Sequence, residues 1–218
     1  MNRSDIHRGK TERPSPDGLE QRGFSLVELL ISMVLSLVIL GVAVAAFSGM
    51  LGSRNRESSR ADALTSAQAA LNIMTREIGN SGYGLTTNGL VLADCRGKIL
   101  HFRTNTSNHD GSTNSTGEDV TFYYDPDTQS VVRYDVASGT SGIINRVSDV
   151  DFTYWNYVVN PLTGAVTVSS GTASADTARV TIQLKVILAD VQGQPAGRIE
   201  TVSSDVTLRS SPYMLSQY

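Results

Sequence analysis

The chain has one cysteine, Cys95, among its 218 residues. An intramolecular disulfide is therefore excluded, and no CxxC metal or redox motif can be drawn. Cys95 reads as a small buried apolar residue. Charge is also sparse: 18 basic residues stand against 21 acidic ones, for a net charge of -3. That balance offers no strongly basic face, so nothing points to nucleic acid as a partner. Histidine is scarce, with His7 in the N-terminal polar stretch and His101 and His109 flanking a polar loop. Nothing in the sequence fixes a metal geometry for His101, His109 and Asp110, and they read as solvated side chains. Asp125-Pro126-Asp127 reads as a turn, because a calcium loop needs further oxygen ligands at regular spacing. No nucleophile elbow, phosphate-binding glycine loop or paired-carboxylate motif stands out. The reading is non-enzymatic, with no catalytic residue, metal or cofactor assigned.

What the sequence does have is a long apolar run. Phe24 to Phe47 reads FSLVELLISMVLSLVILGVAVAAF, with Glu28 as its one charge. As a helix it spans about 36 Å at ~1.5 Å per residue, enough to cross a bilayer core of ~30 Å. Arg3, Arg8, Lys10, Arg13 and Arg22 precede it and favour a cytoplasmic N-terminus, while Arg54, Arg56 and Arg60 beyond it weaken that bias.

Three readings compete for the run. A secretory signal peptide could use Ala43-Val44-Ala45 as its cleavage site, but the run is too long, contains an acid and follows a long polar stretch. A plain membrane anchor has no use for Glu28, since an unpaired intramembrane acid costs on the order of a few kcal/mol. Its place near the helix start reduces that cost through the helix dipole. The third reading is a processing signal, and it accounts for the glycine, the aromatic, the acid and the apolar run together.

Arg22-Gly23-Phe24-Ser25-Leu26-Val27-Glu28-Leu29-Leu30-Ile31 resembles the class III signal of type IV prepilins and type II secretion pseudopilins. The resemblance implies cleavage between Gly23 and Phe24 by a prepilin peptidase and N-methylation of Phe24. It also implies that Glu28 pairs with the free amino terminus of a neighbouring subunit during assembly. A buried carboxylate needs a countercharge, and cleavage creates an ammonium that a neighbour can present.

Beyond Phe47 the apolar pattern becomes periodic. Leu64, Ala67, Leu71, Met74 and Ile78 recur at spacings of three and four, which predicts an amphipathic helix packed on the attached domain. Gly79, Gly82 and Gly84 predict its stop. From Lys98 onward, strands are expected at Lys98–Arg103, Asp119–Tyr124, Ser130–Val136, Val150–Tyr157, Arg179–Ala189 and Ile199–Leu208. The period of two is clearest over Arg179–Ala189, and a turn through Val191–Gly197 predicts an antiparallel hairpin with the next strand. Thr104–Gly117 has no apolar residue and is expected as an exposed loop. Phe152, Tyr154, Trp155 and Tyr157 occupy both faces of one strand, so an exposed pair could touch a partner.

The long helix, half apolar and half amphipathic, resembles the shared plan of pilins. The implied fold class is α+β: a long N-terminal helix, transmembrane in its first half, packed on a C-terminal antiparallel β-sheet domain. The implied parts are a leader at 1–23, a membrane and filament-core half-helix at 24–48, an outer half at 49–79 and a β-rich head at 80–218. Ile78–Gly84, Val150–Tyr154 and Val206–Arg209 resemble W-type minor pilins of the type IV pilus, and less closely J-type pseudopilins of type II secretion. The lone cysteine departs from pilins that carry a C-terminal cysteine pair. The resemblance implies a structural subunit near the filament tip. Implied partners are a prepilin peptidase, other major and minor pilins, an inner-membrane assembly platform and membrane lipid before assembly. The implied location is the inner membrane, single-pass with a periplasmic head, then the cell-surface pilus. A membrane-tethered periplasmic binding or enzymatic domain is the alternative from another class.

Overall fold

The computed structural model describes residues 23–107, 109–191 and 195–218. Residues 1–22 of the expected leader, with His7 and Arg22, and part of the Val191–Gly197 turn lie outside them. The chain divides into two compact units, one reaching Ser48 and the other running from Gly49 to Tyr218.

Helix α1 covers Leu26–Gly79. Good helix formers and the lack of proline let it propagate, although β-branched residues are frequent in its first half. In the first unit every described residue is exposed, so its apolar side chains have no protein core to cover them. Its serines bond back to the helix: Ser32 Oγ donates to the Glu28 carbonyl at 2.8 Å and Ser36 Oγ to the Ser32 carbonyl at 2.7 Å. Such bonds satisfy hydroxyls in an apolar medium. By length and composition α1 is the one described helix able to cross a membrane.

The second unit is built on two four-stranded antiparallel sheets. One has strands β1 (Ile99–Arg103), β2 (Asp119–Asp125), β3 (Ser130–Asp135) and β4 (Gly139–Asn145) in chain order. The other holds β5 (Val147–Val159), β6 (Val166–Gly171), β7 (Thr177–Ile187) and β8 (Ile199–Thr207), ordered β6-β5-β7-β8. A one-turn helix, α2 (Pro212–Leu215), is capped by Ser211. Ala67, Ala70, Leu71, Met74 and Ile78 of α1 join one core cluster with Phe102, Phe122, Phe152, Ile182 and Leu184 from both sheets. Full burial of each large side chain contributes roughly 1.5–3 kcal/mol. The layout is the α+β one that the resemblance to pilins implies.

All six expected strands are present, and β7 and β8 form the expected antiparallel hairpin. Two strands, β4 and β6, were not expected. β4 (GTSGIIN) has glycine at two positions and one apolar pair, and its pairing with β3 carries a register shift. β6 (VTVSSG) is exposed at every residue, so it has no buried face to produce a pattern.

The Thr104–Gly117 loop corrects a second expectation: Thr104 and Asn105 are buried. The fully buried Glu118 holds this loop, accepting from Ser107 N–H at 2.9 Å and Ser115 N–H at 3.0 Å. A polar loop can be pinned by a buried acceptor without any apolar residue of its own.

After Gly79 the chain turns back onto β1. Gly82 N–H donates to the Arg103 carbonyl at 2.9 Å, and Arg103 N–H donates to the Gly89 carbonyl at 2.7 Å. Gly89 has φ 79, and a Cβ there would strike Gly82 N and the Arg103 carbonyl oxygen. The position requires glycine on both counts.

Candidate functional site

The N-terminal site is local. Gly23, Phe24 and Ser25 precede the helix, which starts at Leu26, and Leu29 N–H donates to the Ser25 carbonyl at 3.1 Å. Phe24 is 82% exposed, and nothing lies within 4 Å of where a Gly23 Cβ would be. The Gly23–Phe24 peptide is thus non-helical, and Phe24 is exposed among the described residues. Glu28 sits in the first turn, where the helix dipole favours a negative charge. Among the described residues no basic side chain pairs with it. Hydrolysis at Gly23–Phe24 would free an α-ammonium at the head of this helix. Gly23, Phe24 and Glu28 fall within six consecutive described residues, while Arg22 lies outside the described ones.

In the head, ionisable residues are engaged with one another. His101 is not a solvated side chain: its Nδ1 lies 2.7 Å from Asp94 Oδ2 and its Nε2 2.5 Å from Asp119 Oδ1. Arg103 Nε donates to the other Asp119 oxygen at 2.8 Å. His109 instead packs edge-on against Tyr83, and Asp110 accepts from Ser112, so the three residues considered for a metal do not converge. Among the described residues no group of three or more His, Cys, Asp or Glu is placed to hold a metal. Asp125 caps the expected turn, accepting from Asp127 N–H at 3.1 Å and from the Thr128 hydroxyl at 2.6 Å. The Thr128 hydroxyl holds the Asp125 carboxyl below its usual range.

Across the sheets, Lys98 and Lys185 each contact both Asp149 and Asp151, at 2.6 to 3.1 Å. Partial burial raises the Asp149 carboxyl, but hydrogen bonds from the two ammonium groups outweigh it and hold it low. Cys95 is buried and unpaired, its thiol pushed up by burial, and its Sγ donates to the His101 carbonyl at 3.3 Å. Tyr154 is buried and its hydroxyl lies 2.9 Å from the Ile99 carbonyl, an arrangement that knits β5 to β1. Of the aromatic group, Phe152 and Tyr154 face the core. Trp155 lies under the Arg179 guanidinium, 4.6 Å from its ring centre, and Tyr157 packs on Tyr213 at 4.8 Å.

The pairings of His101, Glu118 and the Lys98–Asp149 group were not visible in the sequence, because each joins residues that only turns, loops or strand pairing bring together. These contacts orient strands and loops; none aligns a nucleophile with a base in the manner of acyl-transfer chemistry.

Comparison with curated proteins and with solved structures gave no match. Residues 20–44 match the family described as the prokaryotic N-terminal methylation motif. The match covers the Gly23–Phe24 peptide, Glu28 and most of the exposed apolar helix. The chain carries a prepilin-type N-terminal methylation motif, which supports a type IV prepilin-like, structural protein.

Proposed function

We propose that this chain is a minor pilin of the type IV pilus, resembling the W-type, that takes part in filament initiation near the tip. A prepilin peptidase cuts between Gly23 and Phe24 and methylates Phe24. The apolar segment from 24 to 48, which holds the first part of α1, keeps the precursor in the inner membrane with its head, 80–218, in the periplasm. Residues 49–79 link the two. On extraction, the apolar helix joins other pilins, and Glu28 takes the free ammonium of a neighbouring subunit as its countercharge.

One observation carries the reading: the methylation motif coincides with an exposed apolar helix whose one charge is Glu28. A permanent anchor gains nothing from that carboxylate, whereas a subunit that pairs it with an incoming ammonium recovers the desolvation cost. A J-type pseudopilin role rests on the same motif and is the second reading.

The test is to compare the wild-type chain with Glu28→Ala. Cleavage should proceed in both, while recovery of the variant in sheared filaments falls at least about tenfold, a loss equal to ~1.4 kcal/mol. Equal incorporation removes Glu28 from assembly. Deletion of the chain then separates the two readings: loss of surface fibres marks a pilin, and loss of exoprotein release marks a pseudopilin.

A further inference from the structure

Sheet edges expose main-chain donors and acceptors, and natural proteins guard them with charges, bulges, proline or a covering segment. Three edges of the head are guarded. β1 is covered by Gly89–Val91 through hydrogen bonds to His101 and Arg103. β8 carries Glu200 and Asp205, each ion-paired. β4 lies beside α1, whose Ser66 and Ala69 share a groove with Gly142–Asn145.

β6 is different. It pairs with β5 on one side, and among the described residues no strand or loop pairs on the other. Every residue of it is exposed. From Phe152 to Ala175, a stretch that contains the whole of β6 and most of β5, there is no Asp, Glu, Lys or Arg. Val166 and Val168 stand opposite Val159 and Tyr157, so one face of the hairpin is an apolar strip. That strip borders two aromatics already fixed in place, Tyr157 by Tyr213 and Trp155 by Arg179. Rigid anchors reduce the ordering cost of binding.

We infer that β6 is a docking edge that accepts an extended, uncharged segment of a neighbouring pilin-type subunit as an added strand; this rests on the filament reading above. The open ladder selects an extended main chain, because alternate residues of β6 direct their N–H and C=O groups outward. The charge pattern selects a neutral strand, since a charged residue opposite β6 finds no counter-ion from Phe152 to Ala175. The apolar strip favours β-branched or aromatic residues on the matching face of the incoming strand.

Amide hydrogen exchange tests this, followed over residues 166–171 in the purified full chain in detergent and in filaments that contain it. Strand addition slows the outward-facing amides at least about tenfold in the filament. In parallel, Val168→Lys lowers incorporation at least about tenfold while leaving the Tm of the detergent-solubilised chain unchanged, because the site is exposed. Unchanged β6 exchange in filaments that contain the chain overturns the inference and leaves the pilin reading intact. A dimer in detergent with the same protection makes a second copy the occupant and overturns the neighbouring-subunit assignment. Absence of the chain from filaments overturns both.

Discussion

Arg133 on β3 ties the sheet to α1: its Nε donates to Glu77 Oε2 at 2.8 Å. Its Nη1 also donates, at 3.1 Å, to Asp135, a fully buried carboxylate that accepts from Gly117 N–H at 2.7 Å. One guanidinium thus neutralises two acids on different elements. Arg133→Ala leaves a buried carboxylate without its cation and is expected to cost about 2–4 kcal/mol. Arg133→Lys restores charge but not the two-pronged geometry and should recover only part of that. Urea unfolding of the full chain in detergent checks both, and an unchanged midpoint for Arg133→Ala would remove this link from the account of the head.

The charged clusters set a pH window. Asp135 and Asp149 are both held low: burial opposes this, but backbone and Ser138 donors with Arg133, and the two lysines respectively, outweigh it. A carboxyl whose folded pKa is depressed stabilises the fold above its unfolded value and loses that contribution as pH falls through the folded value. Acid loss is therefore expected below about pH 4, the ordinary aspartate range. Lys185 is raised by its hydrogen bonds to Asp149 and Asp151. Lys98 is raised by the same two acids against opposing burial. The sign is then reversed: this contribution is complete below the unfolded lysine value and is lost above about pH 10.4. Thermal melts between these limits should be flat for this cluster, and Asp149→Asn should blunt both flanks.

Gly89 is the tightest point of the helix-to-sheet connection. Gly89→Ala combines a positive φ with contacts to main-chain atoms that cannot move aside, and an expected loss of about 2–4 kcal/mol follows. Gly164→Ala is the control: it too has a positive φ, 70, but open space around it. It should cost no more than about 1–2 kcal/mol. Equal losses for the two would show that φ alone, and not the close approach, decides the site.

The sequence was most legible where one physical demand shaped a contiguous stretch. The membrane run declared itself by length and by the isolated Glu28. The stripe from Ala67 to Ile78 and the alternation of Val180, Ile182, Leu184 and Val186 followed from one buried face meeting a regular period. β6 was hidden because neither face is buried. Glu118 and His101 were hidden for a different reason. Their partners lie across turns or on neighbouring strands, and pairwise polar geometry leaves no periodic trace. Composition alone makes Thr104–Gly117 an exposed loop, while two buried carboxylates pin it, Glu118 at Ser107 and Ser115 and Asp135 at Gly117.

Cleavage at the Gly23–Phe24 bond is read out by intact-mass and N-terminal peptide mass spectrometry of the membrane-extracted chain. The mature protein is expected to begin with N-methylated Phe24, and Gly23→Ala to leave the precursor uncut. A mature chain that retains Met1, or one that begins at Ala46, would contradict that cleavage.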